Sequence, residues 1–506
     1  MLIVFDEFPT LTLLDEKGMI DGDLFPSFSA LADDATWYRN ATTVHALTHM
    51  SVPAIQTGQI PSEDTAAPTA AVYPESIFTL LGDSYAMNSV QEYTVCPTSL
   101  CPSPYSESPS QILGDLLSKS VDIFAEQLTA SADDSDVDTA SGGPIEGRTR
   151  MVRHDERSSK FVAGIDGGQT LSAAHLLVPH HFWVFNPSGT VSNSEYEEAY
   201  PVRTGGWGDP ESAAVGRQHH LLQAMYIDSV VGDVIDQLEA VGAYDDALII
   251  ITADHGISFE PGEPRRLSTA ASVPEVAWVP MFVKFPDQDV GVVSDENAMT
   301  IDVVPTIAEI VGIDIPWDVD GISLVSETRD ESDKVFLPYA DNPEDFYPFG
   351  ETVDGEAGLN TLLSRAKRRF VHTADPRDRP FARGRYGSLV GGRVTDFNVE
   401  EPLESAAVRE DDRDTEPVDA GGGLEREMAA TWVAGSLGDD FGADPQLAYV
   451  IDGTIVATSG VFEPEGGRRH FETLLPEDAI DAGPLEMYLI EGTLDRPTLR
   501  EVRFES

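Results

Sequence analysis

Residues 247–256 read ALIIITADHG, an aliphatic run that ends in an acid, an imidazole and a glycine. A continuous apolar run of this length is typical of a strand that is covered on both faces. The preceding segment predicts a helix that Gly242 ends, since apolar side chains recur at helical spacing: Leu221, Leu222, Met225, Val230, Val234 and Leu238. A helix followed by a buried strand is the unit from which parallel sheets are built.

The same alternation extends in both directions along the chain. Leu2–Phe5 predicts a first strand, residues 279–284 predict a further strand, and Val303–Val311 predicts a helix that Gly312 ends. We therefore expect an α/β fold over about residues 1–325, with a mainly parallel sheet sandwiched by helices.

The length of 506 residues exceeds one ordinary core, so two domains are expected. We assign residues 1–328 to the α/β domain, with an acidic and Ser-rich insertion at 129–150, and residues 329–425 to a connecting region and linker. Residues 426–506 alternate apolar and polar side chains between turn signals, which predicts a small β-rich C-terminal domain.

Acidic residues outnumber basic residues by 88 to 32, which gives a formal net charge of -56. Nucleic acid is therefore not an expected partner. The excess is spread along the chain and resembles that of proteins from salt-loving archaea, where salt at about 1 M screens charge repulsion to about 3 Å. An ordinary acidic protein with one acidic loop is the alternative.

The sequence also bears on where the protein acts. It has neither an apolar run long enough to span a membrane nor a charged leader, so no membrane span and no signal peptide are expected. Because Leu2–Phe5 already has the pattern of a strand, two locations stay open: extracytoplasmic or membrane-associated if the start is truncated, and cytoplasmic otherwise.

Cys96 and Cys101, the two cysteines of the chain, lie in one Pro-rich stretch with four residues between them. This spacing allows a disulfide, which we expect and which favours an oxidising compartment. A metal site would need two further soft ligands. Two reduced thiols that are neighbours by chance are the remaining alternative.

Metal-ligating residue types follow two of the predicted strands. Asp6 and Glu7 follow the first strand, and Asp254 and His255 follow the aliphatic run. Open α/β sheets bind their ligands at this end of the strands. Carboxylates together with an imidazole favour Zn²⁺ or Mn²⁺ over Ca²⁺ or Mg²⁺. An aspartate at a strand end can also serve as a turn or helix cap.

A third segment, TTVHALTHMSVP at residues 42–53, places Thr48 where a helix is expected to begin. Phosphate or sulfate binds favourably at a helix N-terminus, and a metal ion there would turn the hydroxyl into a nucleophile. The alternative is that Thr48 or Ser51 only caps the helix.

Taken in order, these motifs resemble the sulfatase family of the alkaline phosphatase superfamily. Thr48 falls where that family has its Cys or Ser nucleophile, and residues 48–53 fit the Thr-x-x-Ser-x-Pro pattern of phosphoethanolamine transferases. Residues 254–256 resemble the Asp-His-Gly ligand motif, and residues 279–286, 300–306 and 320–324 resemble the closing segments. The resemblance implies an enzyme that cleaves or transfers phosphate or sulfate esters of a small molecule, a lipid or a polysaccharide.

The resemblance also implies a site. One divalent metal ion would be held by Asp6, Thr48, Asp254 and His255, with Glu7 as an additional ligand or an outer-shell partner. His180 lies in a Pro-His-His segment that resembles the family's substrate contact and is a candidate proton donor, with a surface histidine as the alternative. Three further candidates are His49, which is next to Thr48, and Lys284 and Arg266, which could pair with the anion. The remaining histidines of this set are expected to be structural or exposed: His45, His175, His219 and His220.

The chain departs from sulfatases at two positions of the nucleophile motif. Thr48 and Val52 stand where sulfatases have Cys or Ser and an Arg. Oxidation of a threonine cannot give formylglycine, so we favour a phospho-enzyme intermediate on Thr48. A sulfuric ester hydrolase without formylglycine and a non-catalytic envelope protein of the same fold are the alternatives.

Overall fold

The structure, a computed structural model, describes residues 1–61, 68–91, 95–101, 151–194, 206–329, 334–337, 339, 352–409, 418–419, 425–438, 441–463 and 469–504. The predicted insertion at 129–150 lies outside the described residues. The strands up to residue 353 are β1 Leu2–Phe5, β2 Thr36–Tyr38, β3 Ala41–Thr42, β4 Ala86–Gln91, β5 Thr170–Leu176, β6 Val191–Ser192, β7 Ile249–Ala253, β8 Met281–Lys284, β9 Val292–Ser294, β10 Ala298–Met299, β11 Lys334–Val335 and β12 Thr352–Val353.

The described α-helices are α1 Pro26–Asp34, α2 Thr48–Thr57, α3 Ile77–Leu81, α4 His154–Ala163, α5 Pro210–Ala240, α6 Val273–Ala277, α7 Val303–Val311 and α8 Gly355–Arg369. Short 3-10 helices lie at Thr10–Leu13, Thr300–Asp302, Pro376–Phe381, Gly387–Leu389, Val394–Asp396 and Glu477–Ala482. None of the described helices combines the length and apolar character that crossing a membrane requires.

The first sheet has seven strands in the order β4-β5-β1-β7-β8-β2-β9. Strands β4, β5, β1 and β7 are mutually parallel, whereas β8 runs antiparallel to both β7 and β2. The prediction of a mainly parallel sheet with helices is thus confirmed, and β8 is the exception within it.

Both faces of the central strands are buried, which explains their uninterrupted apolar sequences. Ile3 and Phe5 pack into one apolar core, while Leu2 and Val4 pack into another on the opposite face of β1. Successive side chains of a strand point to opposite faces, so a strand between two helical layers must be apolar at every position.

Helix α5 begins at Pro210, eleven residues before Leu221, the first apolar position that predicted it. Asp209 caps it by accepting hydrogen bonds from the backbone N–H groups of Glu211 at 2.8 Å and Ser212 at 2.9 Å. Pro210 occupies the first turn, where its missing N–H costs nothing. At the other end, Gly242 has a φ of 70°, as the predicted helix end requires.

The second sheet also has seven strands. They are β13 Asn398–Arg409, β17 Trp432–Leu437, β18 Gln446–Ile451, β19 Thr454–Ser459, β20 Arg469–Leu474, β21 Leu485–Thr493 and β22 Arg496–Phe504, and the short strands β14 Val418–Asp419, β15 Glu425–Arg426 and β16 Met428–Ala429 lie outside that sheet. The described part of the predicted linker is therefore corrected, because β13 is a long strand that pairs with β17 and β22. Its first residues, 398–401, are all exposed, so its composition resembles that of a linker although its backbone is part of the sheet.

Candidate active site

Three adjacent parallel strands, β5, β1 and β7, end side by side. Their register pairs Val4 with His175 and continues from β1 into β7. Asp6, His175 and Asp254 each place one donor atom within 4.8 Å of the others, and all three residues are buried. This is the edge where open α/β sheets bind their ligands.

His255 borders the same group of donor atoms. Its Nε2 atom lies 3.7 Å from Asp6 Oδ1 and 3.6 Å from Asp254 Oδ2, and His175 Nε2 lies 3.8 Å from Asp6 Oδ2 and 3.9 Å from Asp254 Oδ2. Two ligands that each lie about 2.1 Å from one ion can be at most about 4.2 Å apart. These four separations are therefore compatible with one shared metal ion.

Asp254 provides the test of whether a cation fits. Its Oδ1 atom accepts hydrogen bonds from the backbone N–H of Glu7 at 3.1 Å and of His255 at 2.6 Å. Its Oδ2 atom is buried and accepts no hydrogen bond from the part of the chain that the structure describes, and burial raises the pKa of this carboxyl to about 7. A buried carboxylate oxygen in this state is costly, and a bound cation would remove that cost.

His255 is held in the form that binds metals. Its Nδ1 atom lies 3.0 Å from the carbonyl oxygen of Gly256, so Nδ1 donates its proton there and Nε2 keeps a lone pair. Burial, and after it the charge of Arg266, lowers the pKa of His255 well below its usual value. The imidazole is therefore neutral near pH 7, as a metal ligand must be.

The turn that carries these two ligands needs a glycine. A Cβ atom on Gly256 would lie 2.0 Å from the carbonyl oxygen of Glu275, and Gly256 N donates to the carbonyl oxygen of Val276 at 2.8 Å. The Asp-His-Gly motif thus combines two ligands with the one residue that fits against α6.

Thr48 occupies the first turn of α2, as its sequence position predicts. Leu47 precedes the helix, and neither it nor any other side chain makes a capping hydrogen bond there. The hydroxyl of Ser51 donates instead to the carbonyl oxygen of His45 at 2.7 Å, and Thr48 Oγ1 lies 3.2 Å from His255 Nε2. The structure thus brings the Thr48 hydroxyl next to the group formed by Asp6, His175, Asp254 and His255, called the ligand group below, and its role as ligand and nucleophile stays a prediction.

The Glu7 carboxylate binds Arg266 and the backbone of His181, whereas Asp6 and Asp254 lie near His175 and His255. The φ of 62° at Glu7 is rare for a residue with a side chain, and its carboxylate accepts from Arg266 Nε at 2.7 Å and from the backbone N–H of His181 at 3.1 Å. Burial opposes ionisation, but Arg266, His180 and Arg265 together hold the pKa of Glu7 well below its usual value. These contacts favour the outer-shell alternative for Glu7.

His180 lies close to this ion pair. Burial lowers its pKa to about 4, although the charge of Glu7 acts in the opposite direction, and its Nδ1 atom bonds the carbonyl oxygen of His181. The imidazole is thus neutral near pH 7 until a bound anion raises its pKa. Its role as proton donor stays a prediction.

Two other predicted residues lie apart from the donor atoms. Lys284 pairs with Ile249 at the amino end of β7, about 16 Å along the strand from Asp254 at about 3.3 Å per residue. Its Nζ atom donates to the carbonyl oxygen of Asp245 at 3.1 Å. His49 follows Thr48 on α2 and lies near His45, whose pKa falls to about 3 through burial and, second, through His49. Neither residue is in the ligand group.

His175 is the candidate ligand that sequence reasoning missed. It was expected to be structural or exposed, but its exposure is 1% and its ring faces both carboxylates. No motif surrounds it, and its position follows only from the pairing of β5 with β1. The available signal was a histidine next to the last residue of an apolar run.

Cys96 and Cys101 form a disulfide bond, as predicted. The backbone N–H of Val95 donates to Gln56 Oε1 at 3.0 Å, so the segment that the disulfide closes is tied to α2, the helix that carries Thr48.

Comparison with known proteins gives a family match over most of the first domain. A family model described as Sulfatase matches residues 17–313. An N-acetylglucosamine-6-O-sulfatase of Bacteroides thetaiotaomicron is 27% identical over 106 residues, which cover 21% of this chain and 19% of that protein. A low-salt glycan biosynthesis sulfotransferase of Haloferax volcanii is 26% identical over 283 residues, which cover 52% of this chain and 66% of that protein.

Among solved structures, a phosphonate monoester hydrolase of Silicibacter pomeroyi aligns with a TM-score of 0.39 and 20% identity, over 64% of this chain and 75% of that chain.

The haloarchaeal origin expected from the composition stays a prediction.

Proposed function

This chain belongs to the sulfatase family, and from that premise we propose that it cleaves or transfers sulfate or phosphate esters through Thr48 with the help of a divalent metal ion. The observation that carries the proposal is the 3.2 Å contact between Thr48 Oγ1 and His255 Nε2. It joins a hydroxyl in the first turn of α2 to the buried acids and imidazoles. A residue that merely capped the helix would have no reason to make it.

Asp6, His175, Asp254 and His255 would hold the ion, with Thr48 beside them. When bound, the ion supplies positive charge that lowers the pKa of the Thr48 hydroxyl and attracts the oxygens of the ester. Zinc or manganese suits a set of two carboxylates and two imidazoles better than calcium or magnesium does.

The reaction that we propose has two steps. In the first step, the Thr48 hydroxyl gives up its proton to the site and its oxygen bonds the sulfur or phosphorus of the ester, while the bond to the leaving alcohol breaks and that alcohol takes up a proton. We propose His180, near Glu7, as the donor of this proton once the anionic ester raises its pKa. In the second step, water or an acceptor alcohol gives up its proton to the site and attacks the sulfo or phospho group, and Thr48 leaves with its hydroxyl proton restored.

Arg266 is a further candidate for contact with the ester. Its Nε atom is bound to Glu7, so the guanidinium is fixed next to the ligand group, and its charge acts on both Asp254 and His255. A guanidinium that is already oriented loses little entropy when it binds an oxyanion.

Transfer to an alcohol is the second candidate outcome. It is favoured by the match to the sulfotransferase, which covers 52% of this chain. Hydrolysis and transfer share the first step and differ in the acceptor of the second step. Product analysis in the presence of an added alcohol separates them, since transfer yields a new ester and hydrolysis yields free sulfate or phosphate.

The test is turnover of chromogenic sulfate, phosphomonoester and phosphodiester substrates at high salt with Zn²⁺ or Mn²⁺. Thr48→Val keeps the shape of the side chain and removes its hydroxyl, whereas Thr48→Ser keeps the hydroxyl. We expect the valine variant to lose turnover by at least about 1,000-fold and the serine variant to keep a measurable part of it.

Mass spectrometry of quenched reactions gives the second measurement. We expect one sulfo or phospho group on the peptide that contains Thr48 in the wild type and no such group in Thr48→Val. Turnover that persists in Thr48→Val would remove Thr48 from the mechanism. A protein that binds no metal at saturating supply would support the non-catalytic alternative.

A further inference from the structure

A cavity of about 100 Å³ lies between α5, α8 and the 3-10 helix Pro376–Phe381. Its α5 wall consists of Ala214, Arg217, Gln218 and Leu221, which lie on one face of the helix because they are three or four positions apart. His220 also lines it, and its Nε2 atom donates a hydrogen bond to the carbonyl oxygen of Glu7 at 3.0 Å. The cavity is thus next to the ligand group but outside it.

Four arginines line this cavity, in a chain with a formal net charge of -56. Three of them are committed to protein acceptors. Arg369 binds Glu260 at 2.7 Å and Glu275 at 2.8 Å, and Arg383 binds Glu211 at 2.9 Å. The third, Arg379, is bound in the same way to two aspartates of the loop before α1.

Arg217 is the exception. It forms no hydrogen bond and no ion pair with any residue in the described ranges. Burial and, after it, the nearby charge of Arg369 lower its pKa to about 10. In addition, Arg383 is 4% exposed and its Nε–H has no acceptor among the described residues. The charges of Glu275 and Glu211 act on Arg217 in the opposite direction, but both carboxylates are paired with other arginines. An added anion would therefore stabilise this half-buried guanidinium.

The lining also includes two carboxylates, Asp21 and Glu275, each of which is paired with an arginine of the cavity. Much of the remaining lining is apolar. Leu11, Leu14, Leu221, Phe259 and Phe370 contribute to it. A volume of about 100 Å³ accommodates several water molecules, which is more than a bare oxyanion requires. The lining therefore suits a ligand with an anionic head and a short apolar body.

We infer that this cavity is a second ligand site, in which Arg217 binds the oxyanion of a small amphiphilic acid, a sulfonate, sulfate, phosphate or carboxylate on an apolar carrier, and the leucine and phenylalanine side chains bind the carrier. Guanidinium groups match the planar pairs of oxygens that all four acids present. The site does not depend on the proposed reaction, because none of its lining residues belongs to the ligand group.

Binding of sulfonates to the full-length, metal-loaded protein tests the inference, since a carbon–sulfur bond is not an ester and cannot be turned over. Butanesulfonate and methanesulfonate have the same charge and differ only in apolar length. By calorimetry at constant chloride, we expect butanesulfonate to bind at least about tenfold more tightly than methanesulfonate, owing to the buried methylene groups.

Arg217→Gln should weaken the binding of butanesulfonate by at least about tenfold. Arg393→Gln is the matched control, because Arg393 is exposed and hydrogen-bonds Thr454 away from the cavity. We expect the Arg393→Gln variant to bind butanesulfonate as tightly as the wild type does. Leu221→Asn should remove most of the preference for the longer sulfonate and leave methanesulfonate binding nearly unchanged.

Thermal melting shows whether the variants fold and adds a sign test. Without ligand, Arg217→Gln should melt close to the wild type, because Arg217 is half-buried and makes no ion pair within the described ranges. With butanesulfonate, the wild type should gain melting temperature and the variant should not.

Three results would overturn the inference: equal affinity of Arg217→Gln and wild type, equal affinity for the two sulfonates, or binding that is lost in Asp254→Asn and kept in Arg217→Gln. The source of the natural ligand follows from kinetics. Competition between butanesulfonate and the ester would assign the cavity to a remote part of the substrate, and a change in kcat at constant KM would assign it to a separate molecule.

Discussion

His175→Ala is the substitution that tests the ligand group most directly, because no sequence motif marks this residue and only the pairing of β5 with β1 places it there. Its Nε2 atom lies 3.8 Å and 3.9 Å from the two carboxylates. Loss of a residue that only orients a ligand typically weakens metal binding 10- to 100-fold. Loss of a ligand itself should therefore weaken it by at least about 100-fold, or about 3 kcal/mol.

The assay is chemical unfolding with and without Zn²⁺ or Mn²⁺. A metal at 100 times its dissociation constant stabilises the folded wild type by about 2.7 kcal/mol. If the dissociation constant of His175→Ala is 100-fold higher, the same concentration equals it and the gain falls to about 0.4 kcal/mol. The difference of more than 2 kcal/mol is well above the error of such a measurement.

His219→Ala is the matched control. His219 is also buried and also lies near a carboxylate, 3.3 Å from Glu472, but it belongs to the contact between α5 and the second sheet. The His219→Ala variant should be less stable than the wild type without metal, and metal should still raise its free energy of unfolding by the full amount. An unchanged gain in His175→Ala would refute the assignment of His175 as a ligand and leave Asp6, Asp254 and His255 as a smaller site.

Three further changes test the fold around the site. Burial lowers the pKa of Lys334 to about 7, so between about pH 7 and 10.5 the unfolded chain binds more protons than the folded protein. The free energy of unfolding should therefore rise with pH in this range, by up to about 1.4 kcal/mol per pH unit. In urea unfolding, Lys334→Met should flatten this rise and Lys17→Met should not. Asp209→Ala should cost about 1 kcal/mol through the lost cap of α5, against no measurable loss for the exposed Asp236→Ala; equal losses would contradict the capping role. Gly256→Ala should cost about 1–3 kcal/mol and also weaken metal binding, because its Cβ meets the backbone of Glu275, whereas Gly208→Ala, with open space around it, should be neutral.

The sequence predicted the parts of the site that depend on local order. Asp6 and Asp254 follow buried strands, and Thr48 begins a helix, so each could be assigned from the residues next to it. The end of α7 could also be predicted from one residue, because Gly312 adopts a φ of 70°, a left-handed conformation in which helices commonly end at a glycine. Such features are set by a few neighbours, and the structure confirms where these elements lie.

What could not be predicted depends on pairing between distant segments. The role of His175 requires the register of β5 on β1, and the contacts of Glu7 require the loop that carries Arg266, which is 259 residues away in sequence. Strand β13 was missed for a related reason: residues 398–401 at its start are exposed, so its composition is close to that of a linker, and its pairing with β17 and β22 depends on distant segments. Register and partner choice arise from packing, which no local pattern encodes.

The turn after β1 shows why two consecutive acids have different tasks. Asp6 continues toward the ligand group, while the left-handed conformation of Glu7 directs its carboxylate to Arg266. Arg266 is close enough to lower the pKa of both Asp254 and His255, so its positive charge, if uncompensated, would repel a divalent cation. Because Glu7 pairs with Arg266, we expect its charge to offset part of the guanidinium charge at the proposed metal site. Two consecutive acids that the sequence presents as equivalent candidates thus differ in their contacts, and only Asp6 is left as a candidate ligand.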